Sequence, residues 1–314
     1  MPVRSPCRGA AGAVLPIVAC LLASGGCGAD KSGFHGSMEG GAPSDGVAPS
    51  DAPILPDDAI HLNSDGSIDA TTSGSAVVYA ETKDTLYRLD PVTNKLGTIG
   101  AFTGCSEVLD IALDSDSTMF ATTLDGLYTV DTNTAACTLV ASCSAVPSCM
   151  AMVGYPNSLS FVPAGTLDSA VEALVGYVGD TYVRIDTKSG ALTTVGSIGS
   201  QGYTSSGDIV SVKGGGTYLT VKGGPGACND CLIQVDPKTG GWLLDWGPVE
   251  HTDVFGLAFW GGAVYGFDTA GSVFEIQFHG LSMQITNIPD PTAPPGLSWF
   301  GAGSTTIAPI VPVK

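Results

Sequence analysis

Short runs of alternating hydrophobic and polar residues recur along the chain from residue 76 onward. The clearest run is LYRLD at 86–90, and it returns as LYTVD at 127–131, YVRID at 182–186, LIQVD at 232–236 and, in degenerate form, VFEIQ at 273–277. Successive copies lie 41, 55, 50 and 41 residues apart. A period of this length, built on a two-residue alternation, predicts repeated β-sheet units.

Each repeat contains four segments with the strand pattern. A strand is predicted after the repeated segment at 95–99, 138–140, 192–195 and 282–288. Two further strands are predicted earlier in each unit, at 108–113 with 119–123, 158–162 with 173–177, 208–212 with 217–221, and 256–260 with 263–267. Only residues 167–174 hint at a helix. Four antiparallel strands per unit are typical of the blade of a β-propeller.

The repeated segments end at an aspartate followed by turn-forming residues, as in the DPKTG of 236–240. An Asp carboxylate accepts backbone N–H bonds, Pro fixes φ, and Gly or Asn adopts the left-handed conformation. We therefore interpret Asp90, Asp131, Asp186 and Asp236 as turn residues and not as a carboxylate site.

The two ends of the repeat region complement each other. Residues 76–80 match a second strand of a blade, so the first unit lacks its innermost strand. Residues 296–300 (GLSWF) match the innermost strand at 256–259 and have no partner strands after them. The sequence therefore predicts an all-β fold, a β-propeller of five four-stranded antiparallel blades closed by the C-terminal strand. Six blades are the alternative if an insertion hides one.

These repeats resemble the YRIDPxTG-type repeats of uncharacterised bacterial secreted or lipoprotein propellers. The resemblance covers roughly residues 76–309. It implies the architecture and an exported protein, but it implies no reaction.

The N-terminus has the pattern of an export signal. Arg4 and Arg8 precede a short apolar run at 9–23, too short to span a bilayer. Small residues before Cys27 resemble a bacterial lipobox, although Ser24 stands where Leu is usual. Cys20 also fits, but cleavage there would leave two leucines exposed. We predict a lipoprotein signal peptide at 1–26 and an acylated Cys27; an ordinary signal peptide is the alternative.

Composition separates a linker from the propeller domain. Residues 27–75 are rich in Gly, Ser, Pro and Asp, which predicts a disordered linker before a domain at 76–314. The chain has 12 Lys+Arg against 30 Asp+Glu, a net charge of −18. A field of this sign repels nucleic acid, so we expect none as a partner. The lipid would be the membrane attachment, in the cell envelope.

Six cysteines follow Cys27: Cys105, Cys137, Cys143, Cys149, Cys228 and Cys231. An even number in an exported protein favours disulfides. Local spacing suggests that Cys143 pairs with Cys149 and Cys228 with Cys231, which leaves Cys105 for Cys137. A redox CxxC motif or half a zinc site are the alternatives for the pair at 228 and 231. The predicted flanking strands and the missing second zinc pair favour a disulfide.

Five residues are candidates for ligand binding: Asp110, Asp208, Tyr203, His251 and Asp253. They lie at the starts of innermost strands or in the loops that lead into them, where propellers usually bind ligands. The layout resembles the calcium-centred lactonase propellers in general terms only. The alternative is that Asp110 and Asp208 hydrogen-bond nearby backbone. Trp242 and Trp246 are expected to be exposed, and Trp260 and Trp299 to be buried.

The sequence carries no nucleophile elbow, zinc-protease motif or phosphate loop. We therefore predict no catalytic residue, no cofactor and no metal. Two functions remain: a non-catalytic propeller that binds an envelope protein or carbohydrate, and a metal-dependent propeller hydrolase or lactonase. We expect the contact face on the variable loops, at the end opposite the Asp turns, because binding usually resides in loops that vary over a constant scaffold.

Overall fold

The structure is a computed structural model that describes residues 78–290 and 293–313. These residues form five four-stranded antiparallel sheets, the blades of a β-propeller. Blade 1 contains β1 (Val78–Thr82), β2 (Thr85–Asp90), β3 (Lys95–Ala101) and the C-terminal β20 (Gly301–Gly303). The predicted signal peptide at 1–26 and the predicted linker at 27–75 lie outside the described residues.

The other four blades follow the chain in order. Blade 2 contains β4 (Asp110–Leu113), β5 (Met119–Thr122), β6 (Gly126–Val130) and β7 (Cys137–Ser142). Blade 3 contains β8 (Leu159–Val162), β9 (Ala173–Val178), β10 (Thr181–Ile185) and β11 (Leu192–Ser197). Blade 4 contains β12 (Tyr203–Ser211), β13 (Thr217–Gly223), β14 (Cys228–Val235) and β15 (Trp242–Pro248). Blade 5 contains β16 (Val254–Trp260), β17 (Ala263–Asp268), β18 (Val273–His279) and β19 (Ser282–Asn287).

The hydrophobic core is divided among the gaps between blades. Five apolar clusters are present, each formed mainly by side chains of two neighbouring blades. The inner strands β4 and β5 are buried at every position, whereas the outer strand β7 is only partly covered. Aromatic rings meet across a gap, as Phe120 of blade 2 and Phe161 of blade 3 do at 5.7 Å. Burial of these faces is the main stabilisation of the ring.

The ring is closed by pairing between β20 and β1, in which Glu81 lies opposite Gly301 and Tyr79 opposite Gly303. Five blades and C-terminal closure are therefore confirmed. The expected position of the closing strand was wrong, because residues 296–300 form no strand. Trp299 instead turns inward and packs between Tyr87 and Phe267, with ring centroids 5.2 and 5.6 Å away.

The helical elements also differ from expectation. Residues 167–172 form an irregular connection, and β9 begins at Ala173. The helix in the described part of the chain is α1 (Pro147–Ala151), which follows a 3-10 turn at Cys143–Ala145. Pro147 is its first residue, where a missing N–H costs nothing because that group has no intrahelical acceptor. None of the helices in residues 78–313 is long and apolar enough to cross a membrane.

The repeated aspartates act as turn residues, as predicted. Asp90 accepts the backbone N–H of Val92 at 2.9 Å and the hydroxyl of Thr93 at 2.8 Å. Asp131, Asp186 and Asp236 accept the equivalent backbone N–H two residues on. These hydrogen bonds lower the pKa of Asp90, Asp131 and Asp186.

The Asp turns contact the preceding blade at the outer rim. In four blades, a residue just after the turn donates its backbone N–H to the segment that follows the outermost strand of the blade before it. The pairs are Leu96 to Asp290 (2.8 Å), Cys137 to Thr103 (2.7 Å), Leu192 to Ser148 (2.9 Å) and Trp242 to Ile198 (3.0 Å). Sheets twist, so outer strands are rotated relative to inner ones. We expected the Asp turns and the variable loops to lie at opposite ends of the propeller. At the outer rim, where these segments contact each other, that expectation is wrong.

Three disulfides join the cysteines in the predicted pairs, Cys105–Cys137, Cys143–Cys149 and Cys228–Cys231. The first joins the segment after β3 to the start of β7, across the boundary between blades 1 and 2. The second spans the 3-10 turn and α1. The third lies at the start of β14. Disulfides of this number are compatible with an exported protein.

Candidate functional site

Asp110 and Asp208 lie at equivalent positions of the innermost strands β4 and β12, and both are fully buried. Asp110 accepts the N–H of Ile111 at 2.8 Å and the N–H of Leu159, in the next blade, at 2.5 Å. Asp208 repeats this pattern with Ile209 at 2.6 Å and, in the next blade, Leu257 at 2.5 Å. The two carboxyls therefore satisfy inward-facing backbone donors of four blades. This agrees with the alternative interpretation, that they hydrogen-bond nearby backbone.

Glu81 joins these two aspartates in the channel, and sequence reasoning missed it. It lies in β1, is fully buried, and neither carboxylate oxygen has a hydrogen-bond partner. Gly301 opposite provides the space: a Cβ on that residue would stand 2.5 Å from Asp110 Oδ1 and 2.9 Å from Glu81 Oε1. The sequence signal that could have revealed Glu81 was a single acidic residue in the largely apolar strand β1, which pairs with the Gly-Ala-Gly of β20.

The three acids shift one another's ionisation. Burial, and then the charge of Asp208, raises the pKa of Glu81 and Asp110 well above their usual range. Burial raises the pKa of Asp208 to about 8, although its backbone hydrogen bonds oppose the shift. The interaction between the Asp110 and Asp208 carboxyls therefore makes ionisation of both together unfavourable.

The C-terminal segment lies across the turns that join first and second strands. Phe259 donates its N–H to Ser304 Oγ at 2.9 Å, and Lys213 donates to the carbonyl of Thr306 at 2.7 Å. The Thr306 hydroxyl also donates to the Glu172 carboxylate. Residues 304–306 are buried. This segment therefore connects blades 3, 4 and 5 at one end of the ring.

His251 lies away from the acidic cluster, in a groove at the junction of blades 5 and 1. Its Nδ1 is 2.7 Å from Oδ2 of the buried Asp268, and its ring stacks on Phe274 with centroids 3.9 Å apart. Because an ionised carboxylate can only accept, Nδ1 carries the proton of this bond. Among the described residues, Nε2 has no protein partner. The imidazole is thus fixed in orientation with one nitrogen available to a ligand.

We call this groove the seam groove. It has a volume of about 420 Å³. Its apolar wall comes from both blades and the loop between them, and comprises Leu89, Leu96, Val273, Ile288, Leu297 and Trp299. Asn94 and Asn287 add amide groups, and Ser272 adds a hydroxyl. The indole Nε1 of Trp299 is buried without a hydrogen-bond partner. Pockets of this size and mixed lining are typical of small-ligand sites.

The other candidates lie elsewhere, so the five residues do not form one site. Tyr203 is buried in the core between blades 3 and 4 and donates its hydroxyl to Asp245 at 2.6 Å. It is therefore not a surface contact. Asp253 is exposed, and its backbone N–H is bound by Asp230 at 2.6 Å. As the side chains stand, no three His, Cys, Asp or Glu residues in the described ranges are grouped to hold a metal ion.

The four tryptophans are placed partly as expected. Trp299 is fully buried, and Trp242 is 37% exposed. Trp246 is half-buried because it packs on Phe278 with ring centroids 4.6 Å apart. Trp260 is also half-buried. Only Trp242 therefore offers an open aromatic surface on the outer strand of blade 4.

No protein-family model and no curated protein matches the chain. Two solved structures resemble it at low identity. One is from a nidogen/laminin complex, 11% identical with a TM-score of 0.42, covering 73% of this chain and 97% of that one. The other is a protein of unknown function from Bacteroides caccae, 11% identical with a TM-score of 0.38, covering 72% of this chain and 77% of that one. Neither likeness bears on ligand, partner or activity.

Proposed function

We propose that the protein is an exported lipoprotein whose propeller binds a small ligand in the seam groove and catalyses no reaction. One observation carries the proposal: the imidazole of His251, oriented by the buried Asp268 at 2.7 Å, lines a largely apolar groove of about 420 Å³. A side chain held in this way contributes a hydrogen bond to a ligand without a further ordering cost.

The chemistry of the lining defines the ligand. The apolar wall favours a hydrophobic or ring-shaped body, and His251 Nε2 favours a polar group on it. A volume of about 420 Å³ fits a molecule of a few rings better than a folded protein segment. A partly apolar small molecule or a sugar with an apolar face meets these conditions.

The hydrolase alternative is not favoured by the channel. A hydrolytic site needs carboxylates that reach both a substrate and a water molecule. Asp110 and Asp208 are fully buried, and they accept two and three backbone N–H groups respectively. These two carboxyls are committed to the scaffold, so we assign no catalysis to them.

Ligand-observed NMR tests the groove. Full-length mature protein would be screened against a library of small aromatic and sugar fragments, and the hits measured again with His251→Ala. Binding should weaken by tenfold or more, as expected for loss of one oriented hydrogen bond and its ring contact. The matched control is His279→Ala, since His279 is an exposed histidine at the end of β18. Equal loss in both variants, or none in His251→Ala, contradicts the proposal.

Export and lipid attachment are supported by the signal pattern before Cys27 and by the three disulfides. Cys27→Ala, or inhibition of signal peptidase II, should release the protein from membranes or leave its precursor unprocessed. Mass spectrometry of the membrane form should find a diacylated Cys27 as its first residue. A mature, unacylated N-terminus at another residue would rule out the lipid anchor.

A further inference from the structure

We propose that Glu81, Asp110 and Asp208 form a buried structural site for one divalent cation of the calcium class. The site is distinct from the seam groove, and it goes beyond the proposed function. The carboxyls come from β1, β4 and β12, so the ion would join blades 1, 2 and 4 at the channel.

The strongest argument is the unpartnered carboxylate of Glu81. Both of its oxygens are buried without a hydrogen-bond donor, although the backbone N–H groups nearby are bonded to the two aspartates. A buried carboxylate without partners is costly, and proteins keep such groups when they are paired or coordinate a metal. Glu81 therefore indicates a ligand that supplies positive charge.

The protein itself supplies little positive charge to this cluster. Lys83 is the one basic group among the described residues whose charge acts on Glu81. Its ammonium, however, bonds the exposed Glu107 at 2.8 Å and lies over the Phe300 ring at 4.8 Å. The three acids thus face one another, while the Lys83 ammonium is bound outside their cluster.

Gly301 allows the carboxyls of Asp110 and Glu81 to approach the same point of the channel wall. A Cβ at that position would fall within 3 Å of both Asp110 Oδ1 and Glu81 Oε1, at 2.5 and 2.9 Å. As the side chains stand, the described acids do not surround a single point. The Glu81 carboxylate has no hydrogen bond to break when it turns toward the aspartates. The rearrangement needed is a side-chain rotation.

The donor set defines the cation. Carboxylate oxygens are hard ligands that suit Ca²⁺ and Mg²⁺, and each aspartate oxygen keeps a lone pair beside its N–H bond. Ca²⁺ accepts irregular oxygen geometry, whereas Mg²⁺ requires a near-ideal octahedron and retains its water. A buried site on three separate strands therefore favours Ca²⁺.

The experiment uses full-length mature protein dialysed against EDTA and then titrated with CaCl₂ or MgCl₂ at pH 8. Metal analysis after gel filtration should give one Ca²⁺ per chain. The melting temperature should rise by roughly 5–10 °C at about 100 times Kd. Glu81→Gln, which keeps the shape of the side chain, should lose both effects. Asp116→Asn, which removes an exposed turn carboxylate, should keep both.

The possible outcomes separate the site from a surface effect. Loss of calcium in Glu81→Gln with retention in Asp116→Asn supports the proposal. Wild-type protein that binds no calcium and melts at the same temperature with and without it overturns the proposal in favour of protonated acids. Equal binding by wild type and Glu81→Gln places the ion elsewhere and also overturns it.

Discussion

The backbone N–H of Leu159 lies 2.5 Å from the carboxyl of Asp110, which belongs to the preceding blade. The bond joins blades 2 and 3 at their inner edges, where the strands are too close for large side chains. The same relationship, between Leu257 and Asp208, joins blades 4 and 5 at 2.5 Å. Two buried carboxyls thus act as polar cross-links between neighbouring sheets, in addition to the apolar contacts between blades.

Replacing Asp208 by alanine should destabilise the ring. The change leaves the N–H groups of Ile209 and Leu257 without their acceptor, each at a cost of about 1–3 kcal/mol, partly offset by relief of repulsion with Asp110. We expect a loss of about 2–4 kcal/mol in the free energy of unfolding, measured by urea denaturation at pH 6. Asp116→Ala, at an exposed turn, should change it by less than about 0.5 kcal/mol. Equal stability of the two variants would show that the cross-link contributes nothing.

The buried acids should also make stability fall as pH rises. Their folded-state pKa values lie above those of the unfolded chain, so the stabilisation is complete below about pH 4 and is lost as pH rises through the folded values. For Asp208 that value is about 8. In EDTA, the free energy of unfolding should fall between pH 5 and pH 8.5, by up to about 1.4 kcal/mol per pH unit for each proton held.

The turn aspartates do not interfere in this range. The pKa values of Asp90, Asp131 and Asp186 are lowered in the folded state, so their contribution is present above about pH 4 and is lost only below it. Glu81→Gln should therefore flatten the decline between pH 5 and pH 8.5. A wild-type stability that is constant over this range would contradict the raised pKa values.

The three disulfides should differ in their contribution to stability. In the loop-entropy model the effect grows with the length of chain that the bond closes, and the separations are 32, 6 and 3 residues. Removing Cys105–Cys137, Cys143–Cys149 or Cys228–Cys231 by paired Cys→Ser changes should cost about 4, 2 and 1.5 kcal/mol respectively. Urea denaturation of the three double variants checks the order. A reversed order would indicate that native packing, and not chain entropy, determines the effect.

The sequence predicts the blades well because the information is local. Alternation in β2 (TLYRLD) marks a strand with one covered face, and the Asp turn that follows it needs only residues 90–94. Disulfide partners were accessible for the same reason, since two of the pairs are close in the chain. The last strand was misplaced because Gly301–Gly303 has no alternation, whereas residues 296–300 imitate the pattern of β16.

The candidate sites depend on contacts that local patterns do not encode. Glu81 is buried because β1 pairs with a strand more than 200 residues away, so its carboxylate meets Asp110 only after the ring has closed. His251 reaches Asp268 through a loop in which Glu250 and Asp253 adopt positive φ values of 62° and 56°. Neither residue type requires that conformation. Tyr203 was wrongly assigned to a loop. The sequence around it is loop-like, but in the structure it extends β12 by five residues before Asp208.

Two C-terminal truncations should separate ring closure from the contacts of the final segment. Deleting 304–314 retains β20 but removes the acceptors of Phe259 and Lys213 and the bond to Glu172. It should lower the melting temperature by about 5 °C or more, since 1 kcal/mol corresponds to about 2–4 °C in a domain of this size. Deleting 297–314 also removes Trp299 and β20, which exposes the edge of β1.

An exposed edge strand is a template for pairing with other chains, so the longer deletion should unfold or aggregate at a concentration where the shorter one stays monomeric. Calorimetry and light scattering of both variants beside the full chain measure the two effects. Removal of residues 313–314 alone serves as the control and should leave the melting temperature unchanged. If the chain lacking 297–314 melts as the full protein does, pairing of β20 with β1 contributes nothing to stability, and closure by the C-terminal strand is refuted.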